Sequence, residues 1–126
     1  MKVAHVINSL NRGGAESHLL ELVTAQSNNG FIVDVIVIGK DSPDILSIKS
    51  DLSKFCRKVY RLKGPRMFNI LSYVKLLKII KTNSYDIVHS HQPRSDYMIY
   101  ILKKLIFPEK FFKWIVSVHG KYDSYL

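Results

Sequence analysis

Three short stretches of this sequence carry residues able to bind or react. The first is Asn11-Arg12-Gly13-Gly14-Ala15-Glu16, which follows an apolar run over residues 3–10 and opens a helical pattern over 15–25. A strand that turns through two glycines into a helix presents bare backbone N–H groups and the positive end of a helix dipole. That arrangement suits a phosphate or another anion. Glycine allows a close approach that a side chain would block. Adjacent glycines do not make the Gly-x-Gly-x-x-Gly dinucleotide cradle, and no Gly-Lys-Ser/Thr follows, so neither standard phosphate motif is present. A glycine pair also serves as an ordinary strand-to-helix turn. Glu16 falls in the first helical turn, where the dipole alone favours a carboxylate.

The second stretch is His89-Ser90-His91 and the third is His119-Gly120. Alternate residues of a strand share a face, so His89 and His91 could chelate a metal. No third ligand appears at convincing spacing, and no metal site is expected. His91 is instead expected to point into a cleft and His89 to sit against a helix. His119-Gly120 ends an apolar run, where the histidine either hydrogen-bonds a ligand or is a solvated turn residue. There is no Gly-x-Ser-x-Gly elbow and no triad, which argues against nucleophilic hydrolysis.

A basic run, Arg57, Lys58, Arg61, Lys63 and Arg66, precedes a mostly apolar segment. It reads as a solvated edge or as a membrane-facing patch, which Lys103, Lys104, Lys110 and Lys113 would extend if the elements are adjacent. The net charge of +9 over 126 residues predicts attraction to phosphate-rich partners. The aromatic residues read mostly as core, which leaves no stacking platform for single-stranded nucleic acid. With 47% hydrophobic and 23% charged residues the chain is globular and of single-domain size. No apolar run approaches the roughly 18 residues of a membrane span. The N-terminus does not resemble a signal peptide, and a lone Cys56 fits a reducing compartment, so a cytoplasmic chain is expected.

Strands are predicted at 3–10, 33–38, 58–62, 85–90 and 113–118, and helices at 15–25, 43–52, 68–80 and 94–105, with Gly30 closing the first helix. In the 68–80 helix the polar residues Asn69, Ser72, Lys75, Lys78 and Lys81 recur every three positions. Strands alternating with helices indicate an α/β fold, a Rossmann-like parallel sheet of about five strands with helices on both faces. Ligands bind such sheets outside the carboxyl ends of the strands, which here means the loops at 8–14, 39–40, 90–94 and 119–120.

Taken together, these residues resemble the N-terminal, acceptor-side domain of GT-B glycosyltransferases of family 4. Val3-Ala4-His5-Val6-Ile7 followed by Gly13-Gly14-Ala15-Glu16 looks like the family's opening strand and Gly-Gly-x-Glu loop. Tyr85-Asp86-Ile87-Val88-His89-Ser90-His91 looks like its Asp-hydrophobic-Val-His-x-His strand, and Val116-Ser117-Val118-His119-Gly120 like its strand ending in His-Gly. The resemblance implies transfer of a sugar from a nucleotide-sugar donor, with retention of configuration, no metal and no other cofactor. Gly13 and Gly14, with Glu16 and Gly120, would then face the donor diphosphate and the acceptor. His119 would be the catalytic histidine at the cleft, and His91 would lie near the acceptor. The acceptor class implied is a polysaccharide or lipid-linked saccharide, reached from the cytoplasmic side of an anionic membrane.

In the family a second Rossmann-like domain with a Glu-x7-Glu motif follows. This sequence reaches only Leu126, so residues 1–126 are expected to be a truncated or split first half without the donor-binding domain. Such a half would bind donor weakly, turn over little, and self-associate through an exposed sheet edge or pair with a chain supplying the other half. Two other readings stand beside it. One is a non-catalytic module that binds a membrane or a partner; the other is a small nucleotide-binding protein of the flavodoxin-like kind, which flavin colour would reveal.

Overall fold

A computed structural model describes residues 1–8, 14–39, 51–62, 70–106 and 111–117, with side chains of the first helix from Ser17 onward. Among these are five strands, β1 (Lys2–Ile7), β2 (Ile32–Val37), β3 (Lys58–Arg61), β4 (Ile87–Ser90) and β5 (Lys113–Val116). Three helices are α1 (Gly14–Asn28), α2 (Ile70–Asn83) and α3 (Pro93–Leu105). The strand order is β3-β2-β1-β4-β5, and every neighbouring pair is parallel. This is the Rossmann-like α/β sheet that the alternation of elements predicts.

Side-chain alternation along the strands divides the apolar residues into two layers. Ala4, Val6, Ile36, Ile38 and Val88 join Leu76 and Ile80 of α2 and Met98, Ile99 and Leu102 of α3. Ile7, Val33, Val35 and Val37 join Leu19 and Val23 of α1 on the other face, together with Leu52. Both faces of the central strands are therefore covered, as parallel strands require.

The ends of the elements differ from the sequence reading for identifiable reasons. Helix α1 runs on to Asn28 because it closes in a Schellman turn: Gly30 N–H donates to Ser27 O at 3.0 Å and Phe31 N–H to Gln26 O at 3.0 Å. Gly30 has φ +85°, the left-handed conformation that favours glycine. The three-residue polar repeat in α2 does not mark one outer face. A helix turns every 3.6 residues, so a period of three drifts around it; Ser72 is buried while Ile70 and Leu71 are exposed.

Asp34 stands in the middle of β2 and is fully buried. Arg57 donates to it from Nε at 3.1 Å and also from Nη2, and the Tyr85 hydroxyl donates to Asp34 Oδ2 at 2.6 Å. Arg57 Nη2 also donates to Asn83 Oδ1 at 2.9 Å. The cluster ties β2, the entry to β3, the end of α2 and the entry to β4 together at the amino ends of the strands. Burial, and then the hydrogen bond to Asp34, push the Tyr85 hydroxyl well above its ordinary range. Burial, with the Asp34 charge adding, pushes the Cys56 thiol up to about 12. Cys56 should therefore react with a thiolate-selective reagent far more slowly than a small-molecule thiol at neutral pH, a rate a colorimetric thiol assay measures directly.

The basic residues do not form one surface. Arg57 is committed to Asp34 and Asn83, Lys58 lies 4.5 Å over the Tyr60 ring, and Arg61 is half-buried at the end of β3. Lys63, Arg66 and Lys110 lie outside the described residues. Lys103, Lys104 and Lys113 belong to α3 and β5, and the strand order puts β3 and β5 at opposite edges of the sheet. The extended patch conceived from the sequence is thus split in two. Most of the described aromatics are buried in or packed against the core, as expected, but Tyr97, Tyr100 and Phe111 are exposed, and Tyr100 lines an open recess of about 300 Å³ with Lys103, Lys104 and Trp114. Among the described residues no helix is long and apolar enough to cross a membrane.

Candidate functional site

The sheet order reverses at β1. From β1 the chain builds outward through β2 to β3, then returns to place β4 on the other side of β1. Crossovers leave in opposite directions there, opening a crevice at the carboxyl ends of β1 and β4, the position where doubly wound sheets take ligands. Side chains from both strands fix that crevice. Asn8, just after β1, donates its N–H to Gln92 Oε1 at 2.7 Å and accepts the Ser95 N–H on its Oδ1 at 3.0 Å. The Asn8 side chain therefore satisfies a backbone donor in the first turn of α3 that the helix cannot satisfy itself. Gln92 and Ser95 close the turn locally, with Gln92 N–H donating to Ser95 Oγ at 3.1 Å and Pro93 opening the helix.

Gly39, two residues beyond β2, completes this edge. Its N–H donates to Asn8 O at 2.7 Å, and a Cβ at this position would sit 2.7 Å from that same carbonyl oxygen and 3.7 Å from Arg94 Nη1. The oxygen belongs to backbone already held on both sides, so Gly39→Ala should splay the ends of β1 and β2. The expected cost is about 1–2 kcal/mol in a urea titration. The contact with Gly39 also places the Arg94 guanidinium at the carboxyl end of β2, a cation at the edge of the crevice. The sequence reading included Arg94 only as the last residue of a loop.

The histidines are arranged differently from the expectation. His5 and His89 are register partners on β1 and β4, and His91 follows two residues later, so all three share the face that α1 covers. His91 is 1% exposed, its ring stacked on that of His89 with centroids 4.1 Å apart. It lies beneath the crevice and does not point into it. The sequence reading also found no third imidazole for this pair; β1 supplies it as His5. Gln26 Oε1 lies 2.7 Å from His5 Nε2, and His5 Nδ1 lies 2.8 Å from His91 Nε2. With the amide oxygen accepting from Nε2–H, the lone pair of His5 is on Nδ1 and the His91 Nε2–H donates to it. Burial, opposed by the Gln26 hydrogen bond and reinforced by His89 and His18, lowers the His5 pKa to about 4. His5 is neutral at pH 7.

Gly14 is the first residue of α1, whereas Gly13, the side chain of Glu16, His119 and Gly120 lie outside what the structure describes. Sequence reasoning missed His5 as a site residue and included Asn8 and Gln92 only as members of candidate loops, and all three had one available signal. Each sits in or just after a strand bordering the switch between β1 and β4, where polar side chains in apolar surroundings need partners across the sheet.

The fold is a Rossmann-like domain, a class whose members take ligands at the carboxyl edge of the parallel sheet. Glycosyltransferase Family 4 matches residues 12–126, and the chain belongs to that family, with the fold of its N-terminal domain. No curated protein matches the chain. Among solved structures, sucrose-phosphate synthase from Thermosynechococcus elongatus is similar, with a TM-score of 0.59 and 18% identity over 94% of this chain and 33% of that one. At that identity the likeness concerns the fold, and this chain spans about a third of the matched structure.

Proposed function

We propose that this chain is the acceptor-side domain of a glycosyltransferase that moves a sugar from a nucleotide-sugar donor to a polysaccharide or lipid-linked acceptor. Transfer retains the anomeric configuration, and no metal ion takes part in the chemistry. The observation that carries the reading is the sheet reversal between β1 and β4, beside which Gly14 opens α1 and Arg94 stands, in a chain of family 4. Negative charge grows on the departing diphosphate, and fixed backbone donors and cations are the groups that stabilise it. Gly13 and Gly14 would supply the donors and Arg94 the cation, His119 would act as the catalytic histidine, and Gly120 would bind donor or acceptor. Glu16 would orient the acceptor. His91 supports the floor through His5.

The recess formed by Tyr100, Lys103, Lys104 and Trp114 supports the proposal that the domain works at the cytoplasmic face of an anionic membrane. Lysines beside amphipathic aromatic rings suit lipid headgroups. The test of the main reading is ligand-observed NMR with UDP-, GDP- and ADP-sugars. Weak binding of at least one donor, reduced in Gly13→Val, His119→Ala and Arg94→Ala, is expected. Donor binding unaffected by all three substitutions, or no binding of any donor, would contradict it.

A further inference from the structure

His5, His89 and His91 together offer more than a satisfied polar core. One nitrogen from each ring lies within 4.8 Å of the other two, and all three residues are buried. We propose that this cluster is a binding site for one borderline divalent transition-metal ion, with Zn2+ the natural occupant. The ion would bridge β1 and β4 beneath the crevice and take no part in the transfer proposed above.

The ligand set decides the kind of ion. Three imidazoles with no carboxylate in the group suit Zn2+, Co2+, Ni2+ or Cu2+, whereas Mg2+ and Ca2+ require oxygen ligands. The surroundings match what a metal-bound histidine needs. Such a ring usually passes its second N–H to a carbonyl or another fixed acceptor, which holds the tautomer and the ring plane. His5 does so through Nε2 to Gln26 Oε1, which directs its Nδ1 lone pair toward His91. His89 is held in the same manner by Nε2 against Ser117 Oγ, from the residue after β5. Three strands and α1 therefore fix the rings before any ion arrives.

Binding requires small, specific movements. Zn–N bonds of about 2.0–2.1 Å in a tetrahedral site place ligand nitrogens about 3.3–3.4 Å apart. The 2.8 Å contact between His5 Nδ1 and His91 Nε2 must open by about half an ångström as the third ring closes in. The proton on His91 Nε2 moves to Nδ1, so that Nε2 bonds the ion as a neutral imidazole. Water takes the fourth position, as in other three-histidine sites.

The test uses tag-free protein stripped with a chelator. Co2+ titration should give visible d–d bands saturating at one ion per chain, and Zn2+ should compete with a chromophoric chelator at the same stoichiometry. His5→Gln and His91→Gln should each abolish the bands. Gln26→Leu, which leaves all three ligands in place, should weaken binding by about 10–100-fold. His18→Ala, which removes an exposed imidazole of α1 that is outside the three-ring group, should leave the bands and the one-to-one stoichiometry in place. Should either histidine variant fail to fold, as far-UV circular dichroism reports, the Gln26→Leu affinity decides. Failure of Zn2+ to compete, or an affinity equal in the parent and Gln26→Leu proteins, would overturn the proposal.

Discussion

Arg57→Ala should lower the stability of this domain by about 3 kcal/mol, read as a shift in the urea midpoint at constant slope. The size follows from an asymmetry in the pair. The Arg57 side chain is 41% exposed, whereas that of Asp34 is completely buried. Deleting a partly solvated guanidinium costs little in itself but strands a carboxylate inside the sheet with the Tyr85 hydroxyl as its main remaining donor. A buried charge without its partner is the costly species. The same reasoning gives a check on cause. In an Asp34→Asn background no buried charge is left behind, so Arg57→Ala should cost much less there. Arg57→Lys should recover only part of the loss, because an ammonium cannot reproduce the two-pronged contact of the guanidinium with Asp34.

Acidification should unfold the domain earlier than its carboxylates alone would cause. His5 has a folded pKa of about 4 against 6.5 for an unperturbed histidine, chiefly because burial disfavours the charged ring. Its unfolded form therefore takes up a proton first as pH falls. The stability contributed by neutral His5 is complete above about pH 6.5 and is lost progressively down to about pH 4. Between about pH 7 and about pH 5 the loss is on the order of 2 kcal/mol from this residue. His5→Leu leaves Gln26 and His91 without their partner and will be less stable at neutral pH. Its stability should nevertheless fall less steeply over this interval, by up to about 1.4 kcal/mol per pH unit. Urea titrations with chelator present, so that no ion enters the histidine cluster, measure the two slopes. Equal slopes would show that His5 titrates normally in the folded chain.

The strands and helices were legible because they rest on local pattern. β-branched runs such as 33–38 and the glycines that end them report buried parallel strands without knowledge of their neighbours. Gly30 was legible for the same reason, since a helix stop is written in adjacent residues. What stayed hidden was everything set by register between distant strands. His5 and His91 touch across 86 positions of sequence, and only the pairing of β1 with β4 brings them together. Read alone, His5 is one polar residue in an apolar run. Arg57 was misassigned by the same limitation. In sequence it heads a basic run, and its true partner, the anomalous acid within β2, becomes visible only once β2 lies beside β3. The separation of the basic residues onto two edges is likewise a consequence of strand order. Asn8 and Gln92 were legible only as members of candidate loops, because their role, capping α3 from the end of β1, depends on the reversal of the sheet at that strand.

The most direct test of the central claim is a map of where a donor binds on the isotopically labelled chain. Two-dimensional NMR spectra recorded as the best of the UDP-, GDP- and ADP-sugars is added should show amide shifts concentrated at Asn8, Gly39, Gln92 and Arg94. Those residues border the crevice between β1 and β4 at the carboxyl edge of the sheet. Shifts centred instead on the amino edge, around Asp34, Asn83 and Asp86, or the absence of any shift at saturating donor, would contradict the assignment of this crevice to sugar transfer.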